Sequence, residues 1–127
     1  MIDRRILIAD DDSEVRLGAA DLLAALGLVI EQAGTASQAL SIVRRGSLHL
    51  ALLDVHLPDG DGMDVFAQIR SETPELPCIL WSGDATEALA AFALRSGAAA
   101  FLHKPVQPQL LRGEVRRVLD ARWGPAG

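Results

Sequence analysis

Tyrosine is absent from this 127-residue chain, and three Phe and two Trp supply its only aromatic side chains apart from histidine. Half of the residues are nonetheless hydrophobic. The core must therefore be aliphatic, built from Ala, Val, Leu and Ile in a chain the size of one ordinary domain. A single cysteine, Cys78, rules out an internal disulfide and any multi-cysteine zinc site. No apolar run approaches the roughly 20 residues that a membrane-spanning helix needs. The opening stretch, MIDRRILIADDD, is charged almost at once, which is not the pattern of a secretory signal. Basic charge is scarce as well: 12 Lys and Arg against 17 Asp and Glu leave a net charge of −5. A nucleic-acid-binding surface is normally basic. These absences predict a cytoplasmic domain with no membrane contact and no direct nucleic-acid contact.

What is present alternates. RRILIA reads as a short buried strand. Val15, Ala19, Leu22, Leu23 and Leu26 then recur at helical spacing, with Asp12 or Ser13 as N-cap and Gly27 as stop. LVIEQA is a second strand, followed by a helix capped at Thr35, lined by Ala36, Ala39, Leu40 and Val43 and ended by Gly46. LHLALLDV is apolar on both faces, as a central parallel strand should be. HLPDGDG carries turn chemistry. A short helix over Met63–Arg70, the strand CILWS, a helix over Thr86–Ser96, the strand AAAFL and a last helix over Gln107–Arg122 complete the series. Five βα units in a row predict an α/β fold, a doubly wound five-stranded parallel sheet with right-handed crossovers. Residues 1–122 form the expected domain, and 123–127, WGPAG, read as a tail or the start of a linker.

In open α/β sheets the ligand lies beyond the carboxyl ends of the strands. Those ends carry Asp10 and Asp11, then Asp54, then Ser82 with Asp84 close behind, then His103 and Lys104. Three carboxylates, a hydroxyl and an ammonium are thus expected along one edge. Such a cluster is costly unless a cation neutralises it. Oxygen ligands with one or two carboxylates suit Mg²⁺, which keeps several of its waters. A nucleotide site would need a glycine-rich turn after the first strand, where this chain has Asp10, Asp11 and Asp12. No GxGxxG, Walker A or GxSxG pattern is present.

Four motifs, Asp10–Asp11, LLDVHLPDGDG around Asp54, LWSGDA around Ser82 and FLHKP around Lys104, stand in order at four strand ends. Together they make the chain resemble the receiver domain of two-component response regulators, of the type related to the chemotaxis regulator. The likeness spans about Arg5 to Leu119. It implies a flavodoxin-like fold of strand order 2-1-3-4-5. It also implies that Asp54 is the phosphoacceptor and that Asp11, Asp54 and the main-chain carbonyl of His56 bind Mg²⁺, with Asp10 acting largely through water. Ser82 would hydrogen-bond a phosphoryl oxygen and Lys104 would pair with Asp54. The Lys104–Pro105 bond would be cis. Ser82 and Phe101 would be the switch residues, and His56 and Asp84 would tune the phosphoryl lifetime. The implied partners are a histidine kinase or histidine phosphotransfer protein, and an effector domain or a second copy meeting the face formed by helix 4, strand 5 and helix 5. The domain would assist only its own phosphorylation and dephosphorylation.

Some features depart from the common pattern. Ser82 and Phe101 stand where Thr and Tyr are frequent, and AAAFL replaces the acidic DDY of regulators that dimerise on DNA through that face. His56 and His103 read most simply as exposed loop residues, Cys78 as a small buried apolar side chain and Trp81 as packing. Two other functions compete: a pseudo-receiver that only binds partners, and a Mg²⁺-dependent phosphatase on a similar sheet. The intact set of acids, hydroxyl and lysine argues against the first. His56 argues against the second, because it stands where such hydrolases carry a second acid. In the fourth helix, Leu89, Phe92 and Ala93 are expected to face the sheet, leaving Ala90, Ala91 and Leu94 outside.

Overall fold

The computed structural model describes residues 3–125. Its elements are β1 (Arg5–Ala9), α1 (Ser13–Ala24), β2 (Val29–Ala33), α2 (Ala36–Arg45), β3 (Leu50–Asp54), β4 (His56–Leu57), β5 (Gly60–Asp61), α3 (Gly62–Glu72), β6 (Cys78–Ser82), α4 (Glu87–Arg95), β7 (Ala100–His103) and α5 (Pro108–Trp123). β4 and β5 form a small antiparallel hairpin within the stretch expected to be only turn. The other strands make one parallel sheet in the order β2-β1-β3-β6-β7. With the hairpin set aside, this is the expected 2-1-3-4-5 order of a flavodoxin-like fold.

Strand periodicity splits the core in two. Leu7, Leu53 and Leu80 face α2, α3 and α4, packing with Ala39, Phe66 and Ala93. Ile6, Ile8, Leu52 and Ile79 face the other way, toward Leu23 of α1 and Leu111 and Val115 of α5. All five residues of β3 and of β6 are buried. Strands covered on both faces hold their ends still, and Asp54 and Ser82 are those ends.

The helices start where capping chemistry puts them. Asp12, Thr35, Asp61 and Thr86 each accept a backbone N–H of the first turn of α1, α2, α3 and α4. The α2 start has a second cap from outside the helix. The Asp59 carboxylate, at the tip of the β4–β5 hairpin, accepts the N–H groups of Ala36 at 2.6 Å and Ser37 at 3.1 Å.

Two expectations need correction. Phe92 does not face the sheet: it is 52% exposed, and Leu94 beside it 49%. α4 seats itself on its smallest side chains. Ala93 is fully buried and Leu89 is half-buried, and so are Ala90 and Ala91, both expected outside. Trp123, expected to open the tail, instead ends α5. Its indole N–H donates to the His49 carbonyl at 2.8 Å, and the Arg122 guanidinium stacks 4.1 Å over its ring. Arg4 adds bonds to Asp120 and to the Gly124 carbonyl, closing a clasp around the end of α5. The last two tail residues, 126 and 127, lie outside the described residues.

The two N–H donors of α2 hold the Asp59 carboxyl below its ordinary range. A depressed folded-state pKa stabilises the protein above the unfolded-state value and loses that contribution as pH falls through the folded-state value. Asp59→Ala should therefore lower the melting temperature at pH 7. The gap to wild type should narrow as pH drops below about 4, as thermal unfolding monitored by circular dichroism across pH would record.

Candidate functional site

Each acid at the sheet edge is set by its own strand. β1 ends at Ala9, and Asp10 is still inside the sheet: its N–H donates to the Ala33 carbonyl at 3.0 Å and its side chain is fully buried. Asp54 is the last residue of β3 and is buried. Asp11 is exposed at the rim. One carboxylate oxygen from each of the three lies within 4.8 Å of the others. Lys104 directly follows β7 and is joined to Pro105 by a cis bond, and its N–H is tied to the Ser82 carbonyl at 2.9 Å. Its ammonium reaches Asp10 Oδ2 at 2.8 Å and Asp54 Oδ2 at 3.0 Å. The Asp10 contact was not expected; a strand-end inventory shows which groups share an edge but not which of them pair.

The second oxygens are held too. Asp10 Oδ1 accepts the Asp12 N–H, and Asp54 Oδ1 accepts the His56 N–H, each at 2.9 Å. The Arg16 guanidinium donates to the Asp10 carbonyl at 2.6 Å. Neither buried carboxylate is free to rotate. Ser82 is fully buried at the end of β6, and its Oγ accepts the Asp84 N–H at 3.1 Å.

Burial pushes the Asp10 carboxyl above its ordinary range, and the Asp54 carboxylate adds to the push, against the Lys104 ammonium and the Asp12 N–H. Burial alone would lower the Lys104 pKa, but its bonds to Asp10 and Asp54 outweigh that and raise it, so it stays charged. Three carboxylates and one ammonium leave two negative charges, the charge of one divalent cation. An all-oxygen donor set with Asp10 strained as an anion fits a hard ion such as Mg²⁺.

The flanking residues sort as follows. His56 and His103 are exposed, and the His103 ring stands edge-on to Phe101 with centroids 5.6 Å apart. Phe101 is half-buried against the α2–α3–α4 side of the core. Asp84 is exposed. Cys78 is buried, and burial lifts its thiol to about 12, so it stays a neutral packing group.

Sequence reading overlooked Gly62. Its N–H donates to the Val55 carbonyl at 2.7 Å. A Cβ there would lie 2.0 Å from the Asp54 carbonyl oxygen and 2.7 Å from Val55 Cα. The first turn of α3 thus rests directly on the backbone that carries Asp54. The only sequence signal was a glycine at a helix start in a turn-rich stretch. Gly62→Ala should cost about 3 kcal/mol, the upper range for forced overpacking. Gly113→Ala, on α5 with no atom within 4 Å of the added Cβ, should be neutral or slightly stabilising. Urea denaturation of both variants checks the contrast.

Residues 6–116 match a family model described as the response regulator receiver domain. The chain is 33% identical over 114 residues to the response regulator protein TodT of Pseudomonas putida, a match covering 90% of this chain and 50% of that protein. It is 35% identical over 121 residues to the DNA-binding transcriptional regulator NtrC of Azospirillum brasilense, covering 95% of this chain and 25% of that protein. The chain thus spans half the length or less of these curated relatives. Among solved structures, a CheY-like receiver domain protein from Methanospirillum hungatei superposes with a TM-score of 0.90 at 31% identity, over 95% of this chain and 97% of that one.

Proposed function

The chain belongs to the response regulator receiver domain family, and on that premise we propose that Asp54 accepts a phosphoryl group from a histidine kinase or histidine phosphotransfer protein in a Mg²⁺-dependent reaction. The observation that carries this reading is the buried Asp54 carboxylate, with one oxygen on the His56 N–H and the other on the Lys104 ammonium. A carboxylate is a competent nucleophile toward phosphorus. An Asp54 oxygen forms the new O–P bond while the N–P bond of the donor phosphohistidine breaks, leaving an acyl phosphate and a free imidazole. Phosphoryl transfer passes through a loose transition state, so the protein's work is positioning and charge neutralisation. Asp10, Asp11, Asp54 and the His56 carbonyl would hold Mg²⁺, which when bound neutralises charge on the phosphoryl oxygens. Lys104 supplies positive charge on the other side, and the Ser82 hydroxyl donates to a phosphoryl oxygen. His56 and Asp84 flank the acyl phosphate and set its lifetime. In this reading the domain works in the cytoplasm and acts on no substrate but itself. A phosphatase is disfavoured, because the side chain two residues after Asp54 is an imidazole and not a carboxyl. A pure binding module would not need the three acids, the hydroxyl and the lysine together.

Incubation with acetyl phosphate and Mg²⁺ should add one phosphoryl group by intact mass, and Asp54→Asn should add none. Mg²⁺ should also raise the melting temperature, since a ligand bound only by the folded state stabilises it. Asp11→Ala should remove most of that rise. An undiminished rise would contradict the metal assignment.

Output is proposed to run through α4, β7 and α5. Ser82 and Phe101 would shift between two states on phosphorylation, biasing this face toward an effector domain or a second copy. Phe92 and Leu94 stand two residues apart on α4, and each exposes about half its surface. Surface helices usually carry charge at such positions. Leu94→Glu should weaken self-association or effector binding, read by sedimentation and by pull-down, with acetyl phosphate labelling of Asp54 unchanged.

A further inference from the structure

Asp11 lies in the short joint between the end of β1 at Ala9 and the start of α1 at Ser13, and it is exposed. Its direction depends on the two peptide planes that flank it, each a rigid unit. The plane after Asp11 is held from within the joint, because the Asp12 N–H donates to Asp10 Oδ1 at 2.9 Å. The plane before it carries the Asp10 carbonyl. The group that holds this carbonyl comes from α1: the Arg16 guanidinium, through Nη1 at 2.6 Å.

Arg16 is itself held at a second point. Its Nε donates to Gln32 Oε1 on β2 at 3.1 Å. A guanidinium is planar, so two bonds to two strand ends fix its orientation. Gly34, just past β2, leaves room for it: a Cβ there would lie 3.3 Å from Arg16 Nη1. Both acceptors are neutral oxygens, although three carboxylates gather at the same edge. The charge of Arg16 brings nothing to a metal ion there. A fixed positive charge repels a divalent cation, so on charge alone the site would be better without it.

We propose that Arg16, braced by Gln32, is the positioning residue for Asp11: it fixes the peptide plane from which the Asp11 carboxylate reaches the cation. This rests on the reading that Asp10, Asp11 and Asp54 hold Mg²⁺. Geometry and charge then predict opposite signs. Losing the brace weakens Mg²⁺ binding, whereas merely losing a positive charge strengthens it.

Mg²⁺ titration of ¹⁵N-labelled protein, followed by the backbone amide shifts of Asp11 and His56, gives the affinity, and thermal unfolding of the metal-free protein gives the stability separately. Arg16→Met should bind Mg²⁺ about tenfold more weakly than wild type, the lower end of the effect of removing a group that orients a metal ligand. Gln32→Met changes no charge. It should weaken Mg²⁺ binding by a smaller factor and cause no further loss in the Arg16→Met background, since it acts only through Arg16. If wild type binds Mg²⁺ and Arg16→Met binds it as tightly or more tightly, the positioning role is overturned while the metal reading stands, and any lowered melting temperature is then only structural. Independent, additive losses from the two substitutions overturn the brace. If Arg16→Met does not fold, unchanged Mg²⁺ affinity in Gln32→Met overturns the proposal by itself. Wild type that binds no Mg²⁺ removes the metal reading and this proposal together.

Discussion

The ammonium of Lys104, shared between Asp10 and Asp54, is the interaction on which the acidic edge depends. The two pairs are 94 and 50 residues apart in sequence, and they join β1, β3 and the segment after β7. Asp10 is fully buried and Asp54 nearly so, and two unpaired carboxylates there would repel each other with little solvent to screen them. Losing one member of such a group leaves the others as uncompensated buried charge. The pairing does not neutralise the cluster. It leaves an excess of negative charge that a divalent cation would neutralise.

A charge cluster of this kind needs a frame that does not yield. β3 and β6 are buried along their whole length, the first turn of α3 presses on the Asp54 carbonyl through Gly62, and Asp59 ties the hairpin beyond the acid to the start of α2. Backbone donors hold Asp10 and Asp54 by their remaining oxygens. The Asp54 carboxylate is thus held in place before any ligand arrives, which suits the proposed phosphoryl transfer, whose catalysis is mostly positioning.

How much of this was legible follows from the range of the forces involved. Local patterns settled the elements: the buried run of β3, the cap at Thr35 and the stripe Leu111, Val115, Val118 and Leu119 of α5 could be read directly. The topological rule for open sheets then brought Asp10, Asp11, Asp54, Ser82 and Lys104 to one edge. What stayed hidden depended on distances between elements. The Lys104–Asp10 bond, the Gly62 contact and the Asp59 cap each join segments whose approach no periodicity encodes. Phe92 misled for a related reason. Helical spacing gives the faces of α4, but how closely the helix sits on the sheet decides which face is inner, and Ala93 lets it sit on its small side.

The clasp of Arg4, His49, Arg122 and Trp123 has a mechanical meaning of its own. It grips the end of α5 at the amino ends of β1 and β3, whereas the acids stand at the carboxyl ends of the same strands. A five-residue strand puts about 17 Å between the two poles. Any chain leaving beyond Gly124 departs from the far pole, out of reach of a group on Asp54. A change at the acids would then have to cross the length of the sheet and its flanking helices to reach that pole.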